Sequence, residues 1–172
     1  MIALSTTGLL ALLVPACWFD VRERRIPNAV TVAGAMVGLL LRVSMGMGPL
    51  FDGLLGAGLA LLVALMPFAL GVLGGGDVKL LAAVGAFFGV ERLFGGLVLI
   101  AAMGGALAIV EAVRRRALIS TLASTVNLGK QWLLFGRPTA AANESSKPMS
   151  IPYGVAIASG SLVWWFLGGA TL

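Results

Sequence analysis

Residues 74–79 read GGGDVK, and they separate two long apolar runs. The chain has only seven acidic residues among 172, so an aspartate in that setting needs a reason. Hydrophobic residues make up 59% of the chain and charged residues 11%, where a soluble domain carries about 25% charged. The mean hydropathy is +1.03. In such a sequence a glycine run with one charge marks a turn between helices of membrane length, since about 20 apolar residues cross a bilayer. The chain is therefore read as an all-α polytopic membrane protein, a single membrane-embedded domain over 1–172 forming a bundle of about six helices.

Outward from the glycines, 53–73 is the third span and 78–90 the fourth; 2–19 and 29–41 precede them, and 93–112 and 151–167 follow. The first span lacks a basic n-region and a small-residue cleavage site, so it reads as a retained helix and not a signal peptide. The second and fourth, of about 13 residues, cross only if their flanks snorkel, the helix is buried or the bilayer thins. Between spans, Arg22, Arg24, Arg25, Lys79, Arg114, Arg115, Arg116, Lys130, Arg137 and Lys147 fall on one side, and Arg42 and Arg92 on the other. The richer side is expected to be cytoplasmic, which puts both termini outside and Trp164 and Trp165 in an interfacial aromatic belt. The polar stretch 113–150 has Leu118, Ile119, Leu122 and Val126 at helical spacing and suits a cytoplasmic helix lying in the interface.

The composition also excludes chemistry. With no histidine, Ser-His-Asp and Cys-His catalysis and HExxH zinc sites are ruled out. The single cysteine, Cys17, leaves no internal disulfide or CxxC pair and reads as packing. The net charge of +5 lies in short segments between spans and forms no basic face, so nucleic acid is not expected as a partner; the lipid bilayer is. No metal or cofactor is expected.

Ionisable groups near a membrane are costly and mark function, which makes the few acidic residues worth sorting by position. Asp20 ends the first span and Asp77 opens the fourth. One complete hairpin lies between them, so both reach the cytoplasmic face. Asp52 sits about 31 Å from the glycine run at 1.5 Å per residue and reads as an N-cap of the third span. Glu111 reads as structural, with Arg114 and Arg115 at i+3 and i+4. Taken singly, Asp20 could be a partner for Arg24 across one helical turn and Asp77 a plain N-cap. Taken together, two carboxylates in one wet cleft can share a proton, one activating water while the other protonates a carbonyl oxygen. The dipole of the helix that Asp77 starts favours its charged form, and that of the helix Asp20 ends favours the proton there. Gly74, Gly75 and Gly76 let an extended peptide approach the backbone, or supply a positive φ. Lys79 is a topogenic charge that could also tune Asp77; Asn28 reads as the N-cap of the second span; Pro152, Tyr153 and Gly154 read as a helix start beside the cleft.

The run GGGDVKLLAAVGAFFG (74–89) resembles the GxGDxK pattern of type IV prepilin peptidases, the GxGD intramembrane aspartic peptidases that remove leader peptides from pilin precursors. CWFDVRERRIPN (17–28) resembles that family's other signature, an aspartate at the end of the first helix followed by a basic stretch and Ile-Pro-Asn. KPMSIPYGVAIA (147–158) resembles its sixth-helix segment. These segments cover about 40 of the 172 residues, with the two aspartates 77 − 20 = 57 positions apart. The resemblance implies that Asp20 and Asp77 are the catalytic pair, cutting prepilins and pseudopilins at the cytoplasmic face of the cell inner membrane beside the pilus assembly machinery. Larger members also methylate the new N-terminus through a region with paired CxxC motifs. This chain has no such motifs and is similar to the short peptidase-only form of tight-adherence (Flp) pilus systems, so methyltransferase activity is not expected.

Three other readings use the same residues. A small proton- or ion-coupled transporter would place carboxylates at the midplane on broken helices, whereas these lie at span ends. A serine-lysine hydrolase would need a desolvated lysine beside a serine. A non-catalytic assembly subunit would use every charge for topology alone.

Overall fold

The structure is a computed structural model that describes residues 2–114 and 153–168. The described residues form helices and short turns: α1 (Ile2–Glu23), α2 (Asn28–Val43), α3 (Met47–Ala69), α4 (Gly75–Arg114) and α5 (Tyr153–Leu167). The expected interfacial helix in 113–150 falls, from residue 115 onward, outside the described residues, as do Arg115 and Pro152. The chain divides into two compact units, Met1–Gly104 with Pro152–Leu172, and Gly105–Ile151. Everything that follows concerns the first; of the second, the described part is the end of α4.

Three stretches, Ala3–Glu23, Met47–Ala69 and Gly75–Glu111, are long and apolar enough to cross a membrane, and α2 and α5 are shorter apolar helices. Large apolar side chains stand exposed on every helix, among them Val14, Val32, Leu55, Leu62, Val98 and Phe166. Water would not tolerate that much contiguous apolar surface; lipid does, and the helices fit a membrane protein.

The fourth and fifth expected spans are the two helical arms of α4, which meet at a kink. Gly89 makes the break, with φ 68° and ψ −178° inside an otherwise helical segment. The arm before the break is the centre of the bundle. Val78, Leu80, Leu81, Ala83, Val84, Ala86, Phe87 and Phe88 are all buried, which explains how so short a segment can be apolar on every side: its neighbours are helices. α1 contributes Leu9, Leu12, Leu13 and Ala16 to this core, and α5 contributes Ile157 and Ala158. α3 comes closest, at Gly56, where an added Cβ would lie 2.5 Å from the carbonyl oxygen of Gly85. Small residues permit such backbone contact, and in lipid that contact is a main source of helix adhesion.

The break is held from α2 and α3. It leaves backbone groups on both sides without intrahelical partners. Arg42 is 5% exposed; its Nη2 donates to the Phe87 carbonyl at 2.9 Å, and its Nη1 to Pro49 O at 3.1 Å and to Asp52 Oδ2 at 2.8 Å. Asp52 Oδ1 in turn accepts the Val90 N–H at 2.9 Å. Asp52 is thus not the cap of α3, which starts at Met47 after Gly46. It caps the second arm of α4 instead, because the break and not the helix start presents the unpaired donor.

The tryptophans are tied into the bundle. Trp165 is 1% exposed, stacks on Phe88 with centroids 6.2 Å apart, and donates to Thr6 Oγ1 at 2.9 Å. Trp164 donates to the Arg92 carbonyl at 2.9 Å and packs over Gly95. Both indoles find polar partners inside the protein.

Candidate functional site

α1 continues to Glu23, so Asp20 lies one turn inside the helix, not at its end. Its side chain is 7% exposed. Oδ2 accepts the backbone N–H of Gly154 at 2.6 Å, across 134 residues of sequence. Gly154 is the second residue of α5, where N–H groups have no intrahelical acceptor, and Asp20 supplies one. The fit admits only glycine, since a Cβ on residue 154 would stand 2.7 Å from that carboxylate oxygen. Cys17, which the sequence suggested was packing alone, sits one turn earlier and directs its thiol to the Gly154 carbonyl at 3.6 Å.

Asp77 is the third residue of α4, and its Oδ2 accepts the N–H of Gly74 at 3.1 Å. The contact is the return half of a capping box, in which a side chain in the first turn ties down the N–H of the residue that starts it. The carboxylates of Asp20 and Asp77 lie within electrostatic reach of each other, and the Tyr153 hydroxyl lies within reach of Asp77. Among the described residues, no arginine or lysine forms an ion pair with either. Arg24 has left the helix with φ 52°; its backbone N–H donates to the Asp20 carbonyl at 3.0 Å, and its guanidinium acts on the carboxylate only through space. Each aspartate therefore accepts a backbone N–H at a helix start, and the dipole argument that would assign them different protonation states does not apply.

The glycines act differently from expectation. None of Gly74, Gly75 and Gly76 has a positive φ; the left-handed residue of this turn is Gly71, at φ 73°. Gly75 has room, with Phe68 at 3.8 Å from a built Cβ. Gly76 does not: its Cβ would lie 3.2 Å from the Cβ of Ile26 and 3.4 Å from its backbone nitrogen. The close approach is to the turn after α1. Asn28 is likewise not an N-cap, since Pro27 holds that position and Asn28 is the first residue of α2. Its Oδ1 accepts the Lys79 ammonium at 2.8 Å instead. The structure thus brings together Asp20, Asp77, Tyr153 and Gly154, and interlocks Gly76 and Lys79 with Ile26 and Asn28. Ile26, buried beneath Gly76, was not singled out in the sequence; the only signal was its place in the Ile-Pro-Asn segment. An apolar groove of about 660 Å³, lined by Leu13, Val14, Cys17, Trp18, Ala158 and Leu162, runs between α1 and α5 beside this site.

The model of the type IV leader peptidase family matches residues 7–109, which hold both aspartates. The chain belongs to that family. Over 105 residues it is also 35% identical to a prepilin leader peptidase/N-methyltransferase of Myxococcus xanthus (strain DK1622), an alignment that takes in 57% of this chain and 31% of that protein. The chain thus spans less than a third of the relative it matches. No solved structure matches it. In a member of this family, the two carboxylates and the helix starts that hold them are the natural place to look for the chemistry.

Proposed function

We propose that the chain is an intramembrane aspartic endopeptidase that removes the leader peptide from type IV prepilins and pseudopilins, with Asp20 and Asp77 as its catalytic pair. The observation that carries this reading is the convergence of two carboxylates from two distant motifs, neither with an ion-pair partner among the described residues. Carboxylates that close share a proton, because both cannot ionise cheaply. The charged one takes a proton from water as it attacks the scissile carbonyl carbon, and the protonated one donates to the carbonyl oxygen. The resulting tetrahedral diol then collapses: the C–N bond breaks, the departing amine takes a proton from the carboxyl that gained one from water, and a diol hydroxyl returns its proton to the other carboxylate as the carbonyl re-forms. Neither step needs a metal, a cofactor or a histidine.

The finer reading follows from charge and shape. The site lies at the cytoplasmic face of the inner membrane, both termini lie outside, and the whole chain forms one membrane-embedded domain of six spans, with α4 supplying two through its break at Gly89. A substrate with a basic leader, a glycine before the cut and an apolar helix after it suits the groove between α1 and α5. Small pilins of the Flp type are the favoured class, with the pilus assembly machinery downstream. These 172 residues hold one cysteine, and cleavage without methyl transfer is the activity proposed for them.

Co-expression with such a prepilin tests the reading, with mass spectrometry of the product. A new N-terminus directly after the leader glycine is expected; an uncut precursor beside properly inserted protein contradicts it. A proton flux in liposomes without cleavage would favour the transporter.

A further inference from the structure

Asp20 and Asp77 sit on helices that meet at their ends, and a pair of carboxylates is useful only at a fixed separation. Asp77 is close to a weak point, since the turn that precedes it, residues 70–75, is exposed apart from Leu73. Something must hold the start of α4 against the end of α1. Lys79 lies two residues beyond Asp77, yet its ammonium makes no ion pair with that carboxylate or with any other described residue; it reaches across to Asn28 Oδ1 at 2.8 Å. Beneath this bond Gly76 rests on the backbone of Ile26, a buried side chain two residues before Asn28. Asn28 in turn is anchored at the head of α2, where its carbonyl accepts the Thr31 hydroxyl at 3.1 Å. The ammonium thus links two elements instead of pairing with a described carboxylate.

We propose that Asn28 and Lys79 are positioning residues. Their hydrogen bond, stacked on the Gly76–Ile26 contact, clamps the first turn of α4 to the turn after α1 and so sets the spacing of Asp20 and Asp77. The inference rests on the peptidase reading for its purpose, but its geometry can be examined separately. Asp20, Asp52 and Asp77 are the only aspartates in the chain. Carboxyl ¹³C labelling of aspartate therefore gives three signals from the full-length protein in bilayers, with Asp52 as an internal reference.

Lys79→Met and Asn28→Leu should each move both the Asp20 and the Asp77 signals and leave Asp52 in place. The Asn28 change alters no charge, so a shared effect reports geometry. Movement of Asp77 alone in Lys79→Met, or of neither site signal in Asn28→Leu, overturns the proposal. In leader cleavage, each single variant should lose roughly ten-fold in kcat at nearly constant KM, and the double variant should lose no more than either alone. Losses that multiply to roughly a hundred-fold mean that the two act independently, and they also overturn it. If the wild-type chain cleaves no prepilin, the peptidase reading falls and the carboxyl signals still decide whether the clamp exists.

Discussion

Asp52 and Asp77 each accept a backbone N–H at the start of a helical segment, Asp52 from Val90 after the break in α4 and Asp77 from Gly74. There the likeness ends. Asp52 has the Arg42 guanidinium at 2.8 Å, and Arg42 also donates to the carbonyls of Pro49 and Phe87. Asp77 has no ion-pair partner among the described residues, and it feels the carboxylate of Asp20. One end of the bundle uses a carboxylate to complete a zwitterionic plug over a broken helix. The other end brings two carboxylates within electrostatic reach of each other, each held only by a backbone N–H among the described residues. Equal chemistry in equal local geometry becomes scaffold or site according to what sits opposite.

The contrast can be broken from either end. The largest effect is expected from Arg42→Met, which strands Asp52 and the Phe87 carbonyl; unfolding in detergent should show a loss of about 3 kcal/mol, with the remaining folded protein cutting within roughly two-fold of wild type because the ends are far apart. Unchanged stability would mean that the plug does not hold the break. Next comes Gly154→Ala, whose new Cβ meets the Asp20 carboxylate. Here kcat should fall by roughly a hundred-fold from misplacement of one group, and rates near wild type would separate Gly154 from the site. Gly89→Ala forces a side chain into a left-handed conformation and against Asp52; about 2 kcal/mol of stability should be lost, again with little change in turnover per folded molecule. The smallest effect belongs to Gly76→Val, expected to lower kcat by about ten-fold through the Ile26 contact and to recover when Ile26→Ala is added. No recovery would mean that the valine obstructs something other than Ile26.

The sequence carried the fold as far as periodicity and charge reach. Helix positions over 2–19, 29–41 and 53–73 were legible because apolar runs end at arginines or glycines. The boundary between the fourth and fifth spans was legible to within a few residues, at Glu91 and Arg92, although the break itself is one conformational change at Gly89. Asp20 and Asp77 stood out as carboxylates at span ends with a complete hairpin between them. Their supports did not. That Gly154 offers an N–H to Asp20, or Lys79 an ammonium to Asn28, depends on tertiary docking over 134 and 51 residues of separation, which no local pattern encodes. Asp52 was misplaced for the same reason: a capping residue was sought at its own helix, and the donor came from another.

The central claim is that Asp20 and Asp77, and not the ion-paired Asp52, do the chemistry. Its most direct measurement is prepilin cleavage by Asp20→Asn, Asp77→Asn and Asp52→Asn, each with its thermal stability recorded in the same membranes. Asp20→Asn and Asp77→Asn should lose roughly a thousand-fold or more in rate while remaining as stable as wild type, and Asp52→Asn should cut at near the normal rate while melting lower. Normal cleavage by either of the first two, in protein that is inserted and folded, would contradict the account.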